Sequence, residues 1–171
     1  MKNENYLEKR IIAIDAQNVA FWPCPNKPKD WSLVLQVAKF YHDLGHKVDV
    51  FVPIHFWIPG KAKSISEEIK AEIKKYADVH REDCGNDSER DDKMMIAFAY
   101  LNDAYYVSND KKMCSHFKLD TLENRTWCHS RRIEFSFDAD RNFSPSLKIE
   151  SIGGEMTEAP ENRIAGKEVR S

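Results

Sequence analysis

Residues 11–20 read Ile11-Ile12-Ala13-Ile14-Asp15-Ala16-Gln17-Asn18-Val19-Ala20. Four uninterrupted apolar residues suit a strand buried on both faces, the pattern of a parallel sheet. An acid follows at once. In open α/β sheets ligands bind outside the carboxyl ends of the strands, so Asp15 stands where a site would form. Asn18, three residues on, can orient a ligand or a water through its neutral amide.

Working outward, strands alternate with helices. Asp30 can cap a helix that carries Trp31, Val34, Leu35, Ala38 and Tyr41 on one face, ended by Gly45. Val48 to Val52 is the next strand. Ser64 and Glu67 fit a capping box for a helix with Ile65, Ile69 and Ile73 inward. Asp78-Val79-His80 is a short third strand. A helix follows from Ser88 to Leu101, with Met95, Ile96 and Ala99 inward. Ala104 to Val107 is a fourth strand, Lys111 to about Phe117 a helix, and Ile133, Phe135 and Phe137 alternate in a final strand. This order predicts an α/β fold: a mainly parallel central sheet with helices on both faces, a Rossmann-type three-layer arrangement.

The chain of 171 residues suits one domain, taken as residues 1–149. Residues 150–171 lack a periodic apolar face and contain Gly153-Gly154, so they read as a flexible or loosely docked C-terminal tail. With 26 basic and 28 acidic side chains the formal charge is −2, which excludes a simple, strongly basic nucleic-acid binder. Hydrophobic residues at 42% exclude a disordered chain. No apolar run approaches the ~20 residues of a membrane span, and the start, MKNENYLEKR, has no apolar signal core. The four cysteines, Cys24, Cys84, Cys114 and Cys128, form no C-x-x-C pair. Reduced thiols in the cytoplasm, or alternatively the nucleus, are therefore expected, with neither a zinc site nor a disulfide framework.

The acids are more telling. Asp110 follows the fourth strand in Val107-Ser108-Asn109-Asp110. Asp91 and Asp92 open the helix that leads into that strand. If the first and fourth strands are neighbours, Asp15, Asp91, Asp92 and Asp110 converge. Clustered carboxylates repel one another and resist desolvation unless a cation joins them. Mg²⁺ or Mn²⁺ suits hard oxygen donors and can activate water against a phosphate. Taken singly, each acid also has a structural use: Asp15 in a turn, Asp110 as a cap, Asp91 and Asp92 favouring a helix N-terminus. There is no Gly-rich phosphate loop and no G-x-S-x-G elbow. The six histidines form no H-x-x-x-H pair and are expected in surface or satisfied core roles.

The ordered strings IIAIDAQNVAF, HKVDVFVP, RDDKMMIAFAYLNDAYYVSND and RRIEFSF resemble the NYN/PIN-like ribonuclease domain of the regnase (MCPIP, Zc3h12a-like) family, over roughly Arg10 to Pro145. The resemblance implies a PIN-like fold and metal-dependent endonucleolytic cleavage of single-stranded or stem-loop RNA. It implies metal ligation by Asp15, Asp92 and Asp110, assistance by Asp91, orientation of the phosphate or the water by Asn18, and a homodimer or a protein partner. Two departures stand out. Cys114 occupies a position where the family usually has a further Asp, and a thiol is a poor ligand for a hard ion. The family's basic loop is replaced by an acidic one, Glu82 to Glu89. These departures favour an alternative: a weakened or inactive pseudonuclease acting as an RNA- or protein-binding module.

Charge is also uneven. Glu82 to Asp92 holds six acids and one base; Lys111 to Arg132 holds six bases and two acids. Lys27, Lys29, Lys111, Lys112, Arg125, Arg131 and Arg132 are the candidate RNA-binding residues, joined by Lys61, Lys63 and Lys118. Phe21, Trp22 and Trp57 are candidates for base stacking, and Trp31 for the core.

Overall fold

The computed structural model describes residues 10–24, 28–61, 63–83, 85, 87, 89–116, 121–149 and 156–158. Strand β1 (Ile11–Asp15) runs directly into a short helix, α1 (Ala16–Ala20). Helix α2 (Trp31–Asp43), strand β2 (Lys47–Pro53), the single turn α3 (Ile54–Trp57), helix α4 (Glu67–Tyr76) and strand β3 (Asp78–Glu82) follow. Helix α5 (Arg90–Leu101) then crosses to strand β4 (Tyr105–Val107), a 3-10 turn (Met113–His116), helix α6 (Leu122–Arg131) and strand β5 (Arg132–Ile133). The five strands pair in parallel in the order β3-β2-β1-β4-β5.

β1 occupies the middle because it can be buried on both sides. Ile12 and Ile14 face α1, α2 and α4, packing with Val34, Val37 and Ile73. Ala13 faces the other way, with Met95, Ile96 and Ala99 of α5, where its small side chain lets the helix approach. Two apolar layers on one sheet give the three-layer architecture expected from the alternation of elements.

The local signals mostly act where the sequence puts them. Asp30 caps α2 by accepting from the Ser32 amide (3.0 Å), and Gly45, at φ +89°, turns the chain out of the helix into β2. One cap is displaced. Ser66, not Ser64, caps α4, accepting from the Ile69 amide (3.3 Å), while the Ser64 hydroxyl donates to the Ile58 carbonyl (2.7 Å). Ile65 is buried ahead of the helix rather than within it, which moves the start two residues along.

Three further expectations are corrected. Of the helix expected from Lys111 to Phe117, the described residues form only the 3-10 turn, Phe117 lying outside them, and α6, which the sequence reading passed over, carries Arg125 and Arg131 of the basic run. The final strand divides: Ile133 belongs to β5, whereas β6 (Phe135–Phe137) leaves the sheet and pairs antiparallel with β7 (Phe143–Pro145). Its alternation holds, with Phe135 and Phe137 buried and Ser136 exposed. Cys114 and Cys128 are not free thiols but form a disulfide, with Cα atoms 5.8 Å apart. Packing of α6 against the 3-10 turn brings them together, helped by the Tyr106 hydroxyl, which donates to the Cys128 carbonyl (2.9 Å). Cys24 is free and exposed.

The expected tail falls largely outside the described residues. Within it, β9 (Met156–Glu158) pairs antiparallel with β8 (Leu147–Ile149). Among the described residues no helix is long and apolar enough to cross a membrane.

Candidate active site

The register aligns the strand ends. Ile14 of β1 pairs with Val107 of β4, so Asp15 and Ser108 leave the sheet side by side. From β1 the chain turns one way, toward β2. It later crosses back by α5 to β4 on the other flank. The crevice between diverging connections is where open α/β sheets bind ligands. Here it forms a cleft of about 370 Å³ lined by Asp15, Gln17, Asn18, Phe21, Asp91, Asp92 and Asp110.

Hydrogen bonds fix each wall. One Asp15 oxygen accepts from the Asn18 amide (3.2 Å), which caps α1; the other accepts from the Ser108 hydroxyl (2.8 Å). The Ser108 oxygen in turn accepts from the Asp110 amide (3.1 Å). Asn18 Oδ1 accepts from the Asn109 amide (2.8 Å), tying the end of β1 to the loop after β4. Asp110 also closes its own turn, accepting from the Lys112 amide (2.8 Å). Asp15 and Asp110 thus serve as caps and as cleft walls together. Asp91 and Asp92 occupy the first turn of α5, and both line the cleft because that turn points into it.

The result is a knot of like charge. Carboxylate oxygens of Asp15, Asp91 and Asp92 lie within 4.8 Å of one another, and Asp92, Asp110 and His116 form a second such group. Burial pushes the Asp15 carboxyl up to about 7, aided by the charges of Asp91 and Asp110 and opposed by its bonds to Ser108 and Asn18. Asp92 rises to about 8, from burial first, then from Asp15, Asp91, Asp110 and Glu89. Buried acids that raise one another in this way fit a divalent cation, and the oxygen-rich donor set fits Mg²⁺ or Mn²⁺.

The position expected to weaken the site lies off it. Cys114 is buried against Cys128 and His129 rather than directed at the cleft. Geometry explains this. Four residues after Asp110 an α-helix would return to the same face, but a 3-10 turn of three residues per turn carries that position about 120° away. The same geometry aligns the sixth residue, His116, which the sequence reading placed with the other histidines in a surface or satisfied core role. Its spacing from Asp110 was the missed signal. Ser108, inside the V-S-N-D string, was missed as well.

The basic candidates separate into groups. Lys29 is near the cleft: its ammonium lies 3.4 Å from the ring centroid of Phe56 and 4.4 Å from that of Phe21. Desolvation, with Lys63 nearby, lowers it to about 8. Lys111 and Lys112 are exposed on the turn after Asp110, and Arg125 is exposed on α6. Arg131 is engaged at the opposite end of the sheet, paired with Asp103 (2.7 Å) and lying over Tyr105. Arg132 pairs with Glu134 (2.6 Å) and reaches the Asp110 carbonyl (3.5 Å). Lys61 and Lys63 are exposed in the turn before α4, while Lys27 and Lys118 lie outside the described residues. Of the aromatics, Trp31 and Trp57 are buried and Trp22 packs on Phe137, which leaves Phe21 in the cleft.

Comparison with known proteins accords with this geometry. No curated protein sequence matches the chain significantly. Among solved structures it is similar to Arabidopsis thaliana nuclear protein-only RNase P 2 (PRORP2), with a TM-score of 0.55 and 10% identity, covering 86% of this chain and 31% of that one. The chain therefore spans about a third of that protein, and the likeness speaks for the fold alone. The family model described as Zc3h12a-like Ribonuclease NYN domain matches residues 8–158. With that match running through the sheet and every wall of the carboxylate cleft, the chain belongs to the Zc3h12a-like ribonuclease NYN domain family.

Proposed function

We propose that the chain is a divalent-metal-dependent endoribonuclease acting on single-stranded or stem-loop RNA, with Asp15, Asp91, Asp92 and Asp110 surrounding the cation. The observation that carries this reading is the meeting of two buried acids, Asp15 and Asp91, with Asp92 within 4.8 Å. Such an arrangement is costly for the folded chain unless positive charge joins it. When bound, Mg²⁺ or Mn²⁺ lowers the pKa of a coordinated water and stabilises charge on the scissile phosphate.

The chain supplies position. Ser108 holds Asp15 and, through the Asp110 amide, sets the distance between the two strand-end acids. Asn18 fixes the loop after β4 and lines the cleft, where its amide nitrogen can donate to a phosphate oxygen. Lys111 and Lys112 flank one side and Lys29 with Phe21 the other, so the RNA backbone meets cations on both sides of the acids.

The alternative, a pseudonuclease serving as an RNA- or protein-binding module, draws on Cys114, which adds no metal ligand. One assay separates the two: labelled RNA incubated with the purified chain and Mn²⁺, with and without EDTA. Chelator-sensitive internal cleavage is expected. RNA that stays intact at high enzyme concentration in Mn²⁺ would refute the nuclease reading.

A further inference from the structure

Among the described residues, His116 lies beside the carboxylates without a role in the family pattern. Its side chain is only 6% exposed. One ring nitrogen, Nε2, lies 3.7 Å from Asp92 Oδ2, and the other, Nδ1, lies 3.7 Å from Glu89 Oε2. The molecule contains an internal standard for a histidine that simply bonds a buried acid. His80 Nε2 lies 2.8 Å from Asp49 Oδ1, an ordinary hydrogen bond. His116 is almost 1 Å farther from both of its acids, although it is the more buried of the two. Two ligand atoms held by one ion at about 2.1 Å are about 3 to 4.2 Å apart, depending on the angle between them. The Asp92–His116 separation falls in that interval, and the donor atoms of Asp92, Asp110 and His116 all lie within 4.8 Å.

We infer that His116 is a nitrogen ligand of the divalent cation, joining Asp92 and Asp110 where the family pattern would place an additional Asp at position 114. The inference rests on the metal-dependent reading above and deepens it. The 3-10 turn that rotates Cys114 away is what brings His116 in. Glu89, facing the far ring nitrogen, has the place of the outer carboxylate that commonly orients a metal-bound imidazole, and is a positioning residue. Exchange of a carboxylate for an imidazole removes one negative charge and softens the donor set. Imidazole suits the later transition ions better than Mg²⁺. The site should therefore favour Mn²⁺ over Mg²⁺ more strongly than an all-carboxylate site.

The test uses the metal-stripped full chain with Mn²⁺ alone. Pulsed electron paramagnetic resonance of the bound ion should show coupling to a ¹⁴N nucleus. That coupling should vanish in His116→Ala and persist in His129→Ala, whose imidazole lies beside Cys114. Calorimetry should show Mn²⁺ affinity falling roughly tenfold or more in His116→Ala, with a smaller loss for Mg²⁺. The wild-type spectrum decides the matter even if the variant folds poorly. Bound Mn²⁺ without nitrogen coupling overturns the role of His116 while leaving the metal-dependent reading standing. Failure of the wild-type chain to bind Mn²⁺ overturns both.

Discussion

Asp15 and Asp49 are buried carboxylates on adjacent strands of one sheet, and their surroundings are opposite. Asp49, in the body of β2, is met by the Lys47 ammonium at 2.7 Å and the His80 imidazole at 2.8 Å. His80 is itself stacked on Phe51, with ring centroids 4.4 Å apart. Asp15, at the end of β1, is bonded by a neutral hydroxyl and a neutral amide, and is raised first by burial and then by two other acids. The fold therefore completes the charge balance of one acid with its own side chains and leaves the other among like charges. Burial alone does not distinguish a structural acid from a functional one. The sign of the neighbouring charges does.

The largest expected effect tests the functional half of this contrast. Asp15→Asn should slow RNA cleavage by ~10²–10³-fold, because the cation contributes several kcal/mol to charge stabilisation. Unfolding by urea should stay as cooperative as in the wild type. Cleavage at the wild-type rate by a folded Asp15→Asn chain would break the comparison.

The next test concerns the missing charge. Burial first, and then the neighbouring acids, push the Asp15 carboxyl up to about 7 and that of Asp92 up to about 8, against about 3.9 for an ordinary Asp. A raised acid stabilises the fold most below the unfolded value and loses that contribution as pH rises through the folded one. Metal-free protein should thus lose stability between about pH 4 and pH 8, relative to Asp15→Asn measured over the same range. At pH 8, Mn²⁺ at 100 times its dissociation constant should restore ~2.7 kcal/mol in the wild type. The restoration should be much weaker in Asp15→Asn. An equal gain in both chains would place the ion elsewhere.

Asp49→Asn should do the reverse. It replaces a buried negative charge, met by the Lys47 ammonium and the His80 imidazole, with a neutral amide, so a stability loss of about 1–3 kcal/mol is expected in urea titrations. Cleavage per folded molecule should be unchanged. A variant of normal stability that no longer cleaves would erase the distinction between the two acids.

The smallest effect sharpens the geography of the cleft. Lys111→Ala and Lys112→Ala should each reduce the slope of log affinity against log salt by about 0.7 for single-stranded RNA. Arg131→Ala should leave the slope unchanged, since that side chain is paired with Asp103. Binding isotherms at several salt concentrations read this directly.

Much of this contrast was legible in the chain. The apolar run before Asp15, the alternation of elements and the placement of Asp91, Asp92 and Asp110 are local signals, and each maps onto an observed element. What escaped depended on geometry that no local pattern encodes. The difference between a 3-10 turn and an α-helix after Asp110 decides whether position 114 or position 116 faces the acids. The pairing of Cys114 with Cys128 depends on how α6 packs, and α6 itself buries only Cys128. Asp49, between Val48 and Val50, looks like an ordinary strand residue; its contact with the His80 imidazole depends on the neighbouring strand.

Asn109 gives the loop after β4 a further property. Its side-chain amide imitates a strand residue: Nδ2 donates to the Phe135 carbonyl (2.9 Å), and Oδ1 accepts from the Phe135 amide (2.8 Å). Together with Asn18 and Ser108, this pins the segment on both flanks before Asp110 is reached. Immobilising a flexible side chain on binding costs about 0.5–1.5 kcal/mol of entropy. A carboxylate presented from a segment already held this firmly would avoid most of that cost, so any affinity of the cleft for a small ion would be set during folding, before the ion arrives.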